Sequence, residues 1–393
     1  MLRALTSGTL ALPGLAGSAA AEGPPPEVRS QYTYSHYSED DIAASKVTPG
    51  STRSRYEIDV HQLRFDAPIG DRFDAGVEVA YETMSGATPW YVVPGPGGEP
   101  LQVMTGATIE EQRTDVTLSG NYYLDQGRAG AKAGVSVEND YLAISGGLEG
   151  ERSFNEDNTS LTGGVGFSID EITPTDANLF PTRPESEDKQ SASVFAGIAH
   201  VLGRNSVLQS TLSYQYSQGF LSDPYKQAFV AGTPLADSRP DQRSQISWLT
   251  RYRHSFSDVD GSLHADYRLY VDDWGINSHT IEVAWYQALF DAVRLIPGIR
   301  YYSQSQADFY APYYVAPRND GLYSSDYRLS PFGALSWRIK AETRFQTWSI
   351  DWSATVGYER YTSSGDLALG DVKVENPGLV SFNLVSIGLV GRF

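Results

Sequence analysis

The chain has 393 residues, of which 12% are aromatic and 20% charged, with 37 Gly, 25 Tyr and no Cys. Its net charge of −18 disfavours nucleic acid as a partner, because phosphates repel an acidic surface. No window approaches the roughly eighteen uninterrupted apolar residues of a membrane-spanning helix, which excludes helical spans. The missing Cys excludes a lipoprotein signal, and the abundance of Tyr and Gly suits a large all-β protein.

The first 21 residues have the order of features of a secretory signal peptide. Arg3 supplies a short basic region, residues 4–15 are modestly apolar, and three alanines at 19–21 suit a cleavage site. We therefore expect residues 1–21 to be a signal peptide and residues 22–393 to form one exported domain. The alternative is an Ala- and Gly-rich tail of a cytosolic protein.

From about Val28 onward, apolar and polar residues alternate with a period of two in one segment after another. Among the clearest is 73–82, where Phe, Ala, Val, Val and Tyr occupy one face. Short turns rich in Gly, Asn and Asp, such as 125–128 and 155–158, alternate with longer polar loops, such as 171–190. This arrangement predicts a series of antiparallel hairpins.

The second half of the chain shows the same pattern more clearly. Its predicted strands lie at about residues 246–256, 263–272, 280–287, 295–301, 328–339 and 347–358. Short turns are predicted at 257–261 and at 340–344. The final strand spans 381–393 and carries Val385 and Ile387 on one apolar face.

Counting gives about sixteen strands of roughly ten residues, the length of a tilted strand that crosses a bilayer. Short turns and mostly longer loops alternate along the chain. A membrane barrel shows this asymmetry, with short periplasmic turns and long extracellular loops, whereas a soluble β-sandwich or propeller has no reason to sort its loops this way. The sequence therefore predicts a closed antiparallel transmembrane β-barrel of about 16 strands, located in the bacterial outer membrane among lipid and lipopolysaccharide. A soluble secreted β protein is the alternative.

Aromatic residues near the predicted strand ends suit two interfacial girdles. Trp337 and Trp348 are expected to flank the turn at 340–344, at the same end as Phe393. An apolar strand that ends in Phe also resembles the C-terminal signal that the barrel-insertion machinery of Gram-negative bacteria reads. We therefore expect Phe393 to act as an assembly signal and to close the sheet against the strand around Tyr32.

Several short segments together resemble the domain-of-unknown-function family 3570 of Gram-negative outer-membrane barrels. They are SerGlyAlaThrPro at 85–89, AspProTyr at 223–225, ArgProAspGlnArg at 239–243, ArgTyrTyrSerGlnSerGlnAlaAspPheTyr at 300–310, SerSerAspTyrArgLeuSer at 324–330 and TyrGluArgTyr at 358–361. The resemblance covers nearly the whole exported chain and implies an envelope location. Through the genes that accompany such proteins, it also implies a link to flavin-transferase, thioredoxin-like and small lipoprotein partners in redox modules. It implies no established activity.

The face predicted to point into the barrel is heavily charged in the C-terminal half. Its charged members are Arg251, Arg253, His264, Asp266, Arg268, Asp272, Glu282, Arg300, Arg328, Arg338, Asp351 and Glu359. In a pore, opposed carboxylates and guanidiniums set a transverse field that orients and sorts solutes. The alternative is that they are structural pairs that brace the barrel wall.

We expect no catalytic, cofactor or metal site. The six His residues are scattered without partners at metal-ligand spacing, and His264 is predicted to face inward, whereas an outer-membrane phospholipase would need its His on the lipid side. The acidic loops either bind divalent cations or are simply solvated.

Two functions remain. The first is a porin-like channel for small polar solutes or ions, since a sixteen-strand barrel is wide enough to hold water. The second is a non-catalytic scaffold or conduit that seats a small lipoprotein or redox partner in a flavin-linked electron-transfer module.

Overall fold

The computed structural model describes residues 23–105, 109–290 and 292–393, and the predicted signal peptide at 1–21 lies outside these ranges. Within them, antiparallel strands follow one another around a sheet that closes on itself. Each barrel strand pairs with the next barrel strand along the chain, and the last pairs with the first. For the part of the chain that the structure describes, the prediction of a closed 16-strand barrel is confirmed.

Long antiparallel strands are the main elements of the fold. The barrel strands are β1 (Arg29–Glu39), β2 (Glu57–Ile69), β3 (Phe73–Gly86), β6 (Ile109–Leu124), β7 (Gly127–Glu138), β8 (Tyr141–Phe154), β9 (Thr159–Ile172), β10 (Glu187–Gly203), β11 (Ser206–Gly219), β14 (Gln242–Phe256), β15 (Gly261–Asp272), β16 (Asn277–Leu289), β17 (Val293–Gln304), β18 (Phe332–Thr347), β19 (Ile350–Ser364) and β20 (Ser381–Arg392). Two hairpins lie inside loops, formed by β4 (Pro89–Pro94) with β5 (Pro100–Met104) and by β12 (Gln227–Val230) with β13 (Thr233–Ala236). Single turns of 3₁₀ helix lie at Ala44–Lys46, Ser257–Val259, Tyr327–Leu329 and Gly365–Leu367. No helix in the described ranges is long and apolar enough to cross a membrane.

The outer face of the barrel is apolar, because side chains alternate between the two faces of each strand. On β8 and β9, Leu148, Val165 and Phe167 are 62%, 55% and 57% exposed, while their neighbours along each strand are small or polar. Similar exposed aliphatic and aromatic residues occur on the other barrel strands except β15. A continuous exposed apolar belt is typical of a barrel whose outer face meets lipid.

The connections differ in length between the two ends of the barrel. At one end, here called the short-turn end, strands are joined by turns such as 70–72, 125–126 and 204–205. The other end, here called the long-loop end, carries connections as long as 305–331. The short exceptions at the long-loop end include the two-residue loop 139–140. The alternation of loop lengths predicted from the sequence is therefore confirmed.

Strand β20 closes the barrel against β1. Tyr32 lies opposite Leu389, which is the pairing expected from the sequence. The backbone N–H of Phe393 donates to the carbonyl oxygen of Val28 at 3.0 Å, and its ring meets the edge of Trp352. The closure leaves neither strand with an unpaired edge. The role of Phe393 as an assembly signal stays a prediction.

The predicted turn at 340–344 is wrong, because β18 continues to Thr347. The hairpin turns instead at Trp348 and Ser349, whose φ angles of 48° and 67° are left-handed, as tight two-residue hairpins require. The charged residues from 340 to 344 resemble a turn, but their charges alternate along a continuing strand. Trp348 is consequently the exposed tip of the turn, and Trp337 lies nearer the long-loop end.

Candidate functional site

Eleven of the twelve charged residues predicted to face the lumen lie on the inner face of strands β14 to β19. One cross-strand row places Arg251, Asp266, Glu282 and Arg300 opposite one another on four successive strands. The adjacent row lies nearer the short-turn end. In strand order it consists of Arg253, His264, Ala284, Gly298, Arg338 and Glu359. The charges thus occupy neighbouring levels of one wall.

Two carboxylates of these rows are held by arginines. Asp266 accepts a hydrogen bond from Arg253 and lies 3.7 Å from Nε of Arg251. Glu282 accepts a hydrogen bond from Arg338, two strands away. Arg338 can cross β17 because Gly298 has no side chain, and a Cβ there would lie 2.9 Å from Arg338 Nε. These pairs brace the wall.

Three further predicted residues on this wall, His264, Asp272 and Asp351, do not contact one another. His264 stacks on Tyr286, with ring centroids 4.0 Å apart. Asp272 accepts a bond of 2.5 Å from Arg243, a residue that the sequence analysis missed. Asp351 is exposed near the short-turn end. In the described ranges, no group of three or more His, Asp or Glu side chains could hold a metal ion.

Arg328 corrects the prediction, because it does not lie on a barrel strand. The predicted strand 328–339 begins only at Phe332, since Pro331 has no N–H to donate to a sheet. Arg328 lies in the 3₁₀ turn of the preceding loop, where the side chain of Asp326 accepts its backbone N–H at 3.0 Å. Its guanidinium bonds Asp326 and lies 2.6 Å from Asp223.

Loops 220–241, 305–331 and 365–380 pack together at the long-loop end, and we call them the loop cap. Ser238 and Tyr323 exchange backbone hydrogen bonds of 2.8 Å, which joins the first two loops. The buried side chain of Asn376 donates to the hydroxyl of Tyr310 at 2.9 Å and to the carbonyl of Ser325 at 3.0 Å, which joins the third. The cap is therefore a hydrogen-bonded layer with its own buried residues.

Buried charges also join loops 220–241 and 305–331. Arg239 donates to Asp237 at 2.6 Å and to Asp326 at 2.9 Å, and both carboxylates are fully buried. Arg328 makes the reciprocal link, from the second loop back to Asp223. Each loop thus supplies an arginine to a carboxylate of the other.

The cap shifts the pKa values of its acids in opposite directions. Burial disfavours the charged form of Asp326, but nearby cations, led by Arg328, outweigh burial and hold the pKa of Asp326 well below its ordinary value. The same balance lowers the pKa of Asp223. For Asp237, burial outweighs the attraction of Arg239, so its pKa is raised. Asp223 and Asp326 therefore stabilise the cap when ionised.

We expect acid to loosen the loop cap. Because the folded pKa values of Asp223 and Asp326 are depressed, their stabilisation is complete above the ordinary value of 3.8 and is lost as pH falls further. Asp237 acts in the opposite sense, since its raised pKa makes protonation favour the folded cap. Amide exchange of 220–241 and 305–331, corrected for its intrinsic pH dependence, should rise below pH 3.8, whereas exchange of β10 should not. Unchanged protection of the cap at about pH 2 would contradict this expectation.

A cavity of about 1600 Å³ lies along the wall formed by β3 and β6 to β11. Its lining extends from Gly127 and Arg128, beside a turn of the short-turn end, to Asn139 and Asp140 at the long-loop end. The cavity therefore follows the wall for the length of a strand. Small inward residues create the space, and they include Gly130, Gly134, Ser145, Gly147, Gly166, Ser168 and Ser193.

The charged lining of this cavity was missed by the sequence analysis, which concentrated on the C-terminal half. Arg128 lies 3.0 Å from Glu149, and Arg64 lies 3.2 Å from Glu78. Lys132 also lines the space. The available signal was the run of small residues at alternate positions of β7 to β9, which leaves a wall with little side-chain volume.

Several residues of the cap line the long-loop end of the cavity, among them Tyr225, Arg239 and Arg328. The hydroxyl of Tyr225 donates to Asp140, and the guanidinium of Arg183 lies 4.8 Å from the Tyr225 ring centroid and 4.0 Å from that of Phe180. All four residues line the cavity. These contacts lie at the end of the cavity beside the two-residue loop 139–140.

Solved structures with a similar fold include outer-membrane proteins. CdiB from Acinetobacter baumannii matches with a TM-score of 0.50 at 10% identity, over 93% of this chain and 60% of that one. A bacterial polysaccharide outer membrane secretin matches with a TM-score of 0.48 at 11% identity, over 93% of this chain and 98% of that one. OmpTdeltaL8, a loop L8 deletion mutant of an outer membrane protein of Vibrio cholerae, matches with a TM-score of 0.44 at 9% identity, over 95% and 100%. At such identities, the likeness concerns the fold alone.

The family comparison is more specific. No curated protein sequence matches this chain. The family described as "Protein of unknown function (DUF3570)" matches residues 2–378, nearly the whole chain. The resemblance drawn from the short segments is confirmed. Because the match extends over nearly the whole chain, the chain belongs to the DUF3570 family.

Proposed function

We propose that this protein is a non-catalytic channel that passes small polar solutes or ions along one side of its lumen. The observation that carries the proposal is the cavity of about 1600 Å³, lined in part by charged side chains, that follows the wall from Arg128 to Asp140. A space of this size holds on the order of tens of water molecules. The paired charges of the opposite wall keep the remaining lumen surface polar without filling this path.

The proposal includes a location in the bacterial outer membrane. The apolar belt supports contact with lipid, and the loop asymmetry supports an orientation with the long-loop end outside and the short-turn end in the periplasm. The partners that we propose from this location are outer-membrane lipid, lipopolysaccharide and the barrel-insertion machinery.

Planar-bilayer recording of the purified full-length protein tests the channel. We expect discrete single-channel steps, because the cavity gives ions a hydrated path. A shift of the SDS gel band on heating would first establish that the reconstituted protein is a folded barrel. A heat-shifting protein that inserts into bilayers but gives no steps would contradict the channel.

The loop cap favours a second candidate function. Its packed surface covers part of the long-loop end, which suits a scaffold or conduit that seats a small lipoprotein or redox partner of a flavin-linked module. For such a scaffold, we expect electrical silence together with co-purification of the partner. The bilayer recording therefore separates the two functions.

A further inference from the structure

We propose that Arg268 and Arg300 form an oxyanion-binding site in the lumen, so that the channel prefers small solutes with carboxylate or phosphate groups. As a statement about transported solutes, the proposal rests on the channel function proposed above. As a statement about binding, it stands on the geometry of one wall and is tested separately.

Two carboxylates of this wall, those of Asp266 and Glu282, already form ion pairs with other arginines. Asp266, on the same face of β15 as Arg268, is bonded to Arg253 and approached by Arg251. Glu282 lies directly opposite Arg300, yet it is bonded to Arg338.

The arginines that remain have no acid of their own. Among the described residues, neither Arg268 nor Arg300 has a carboxylate within ion-pair distance. A guanidinium that faces water in a lumen without a fixed counter-charge is available to a diffusing anion.

Arg268 and Arg300 lie on the same part of the lumen wall. They lie on β15 and β17, in adjacent cross-strand rows, with only β16 between them. Both residues are exposed on the inner face, and Arg268 lines the cavity. Both groups carry a fixed positive charge, so they repel each other across β16. An anion between them would relieve that repulsion.

This part of the wall carries a net positive charge. Over the two rows and Arg268, five guanidiniums face the carboxylates of Asp266, Glu282 and Glu359, which leaves two positive charges uncompensated. The chain as a whole carries −18. This patch therefore has the opposite sign to the protein, and fields in a narrow low-dielectric lumen concentrate ions of the opposite charge.

The chemistry of the groups sets the class of ligand. A guanidinium presents a planar fork of N–H donors that matches two oxygens of a carboxylate or phosphate, whereas chloride offers no such geometry. Thr280 lies opposite Arg268 on the neighbouring strand, so a hydroxyl-bearing residue shares its cross-strand row. The site should therefore favour oxyanions over halides.

The test measures binding first, without requiring conduction. Calorimetry of the purified full-length protein in detergent uses inorganic phosphate and succinate as probes. We expect at least one of them to bind. The double variant Arg268→Gln with Arg300→Gln should bind it more weakly by a factor of about ten or more, because the charge-assisted hydrogen bonds to the oxyanion are lost. Arg204→Gln, in the exposed turn 204–205, removes one guanidinium outside the lumen and should leave binding unchanged.

The outcomes distinguish the site from the channel. Binding of phosphate alone or of succinate alone identifies which oxyanion the site accepts. If the wild type binds neither, or if a heat-shifting double variant binds as tightly as the wild type, the site is wrong whatever the currents show. Binding without single-channel steps keeps the site and contradicts the channel function.

Conduction supplies an independent readout. In a KCl gradient, the reversal potential of the wild type should indicate a preference for anions, and the double variant should lose that preference while Arg204→Gln keeps it. Arg268→Lys retains the charge without the fork, so it should keep the anion preference but weaken oxyanion binding. A wild-type channel that prefers cations would overturn the inferred solute class.

Discussion

Replacing Arg239 by Met is expected to release the loop cap while the barrel stays folded. The side chain of Arg239 is only 10% exposed, and it bonds Asp237 and Asp326, which are fully buried. Without the guanidinium, two buried carboxylates lose a partner, and breaking such a pair costs about 3–5 kcal/mol. Met preserves much of the apolar length. The variant should destabilise the cap and not the barrel, because none of these three residues belongs to a barrel strand.

Limited digestion with trypsin measures this release. Lys226 and Arg328 lie within the cap, so cleavage there should be much faster in the variant, while the strands stay protected. Arg318→Met is the matched control, because Arg318 and Asp320 form a surface pair whose side chains are 34% and 43% exposed. Such pairs contribute about 0–1 kcal/mol, so cleavage of the control at Lys226 and Arg328 should proceed at the wild-type rate. Equal rates in the Arg239 variant would show that these charges do not hold the cap.

The strands were predictable because their signal is local. On β15, Leu263, Ala265 and Tyr267 alternate with charged residues, and this period of two alone assigns each side chain to a face. The closure was predictable for a related reason, since an apolar strand such as β20 needs a partner on its free edge. Alternating loop lengths then indicated which ends of the strands lie together.

The loop cap was not predictable, because its contacts join residues far apart in the chain. Lys226 donates to the carbonyl of Pro89 at 2.8 Å, and Asn376 bonds Tyr310. In the sequence, these loops are polar stretches that suit solvated loops equally well. The ion pair of Arg328 with Asp223 was unpredictable for the same reason, since only the folded loops bring the two residues together.

The position of the cavity depends on the volumes of the side chains on both walls. The pattern of charges in the sequence does not predict these volumes. The wall of β14 to β18 carries long side chains, such as Arg253 and Arg338, that cross to neighbouring strands. The opposite wall carries glycines such as Gly147 and Gly166, so the open space lies there. Charge indicated the polar face correctly, but the path of a solute depends on where the small residues lie.

Filling this cavity with two indole rings is expected to block the channel. Ser145 lies opposite Gly134, and Ser193 lies opposite Gly166, so each position has a glycine beside it that leaves room for a ring. We expect the double variant Ser145→Trp with Ser193→Trp to retain less than about half of the single-channel conductance, because narrowing and dewetting a pore both raise the barrier to ions. The backbone ladders are untouched, so the protein should still show the heat-dependent gel shift of a barrel.

The same two strands provide the matched control. Ile144 and Val194 are the sequence neighbours of the two serines, they are 55% and 48% exposed, and they point to the outer face. Trp at both positions adds the same two rings to the lipid-facing belt, where aromatic residues are well tolerated, and conductance should equal that of the wild type. Equal conductance in the outward and inward pairs would show that ions do not pass through this cavity. Loss in the inward pair alone would place the conducting path along β8 and β10.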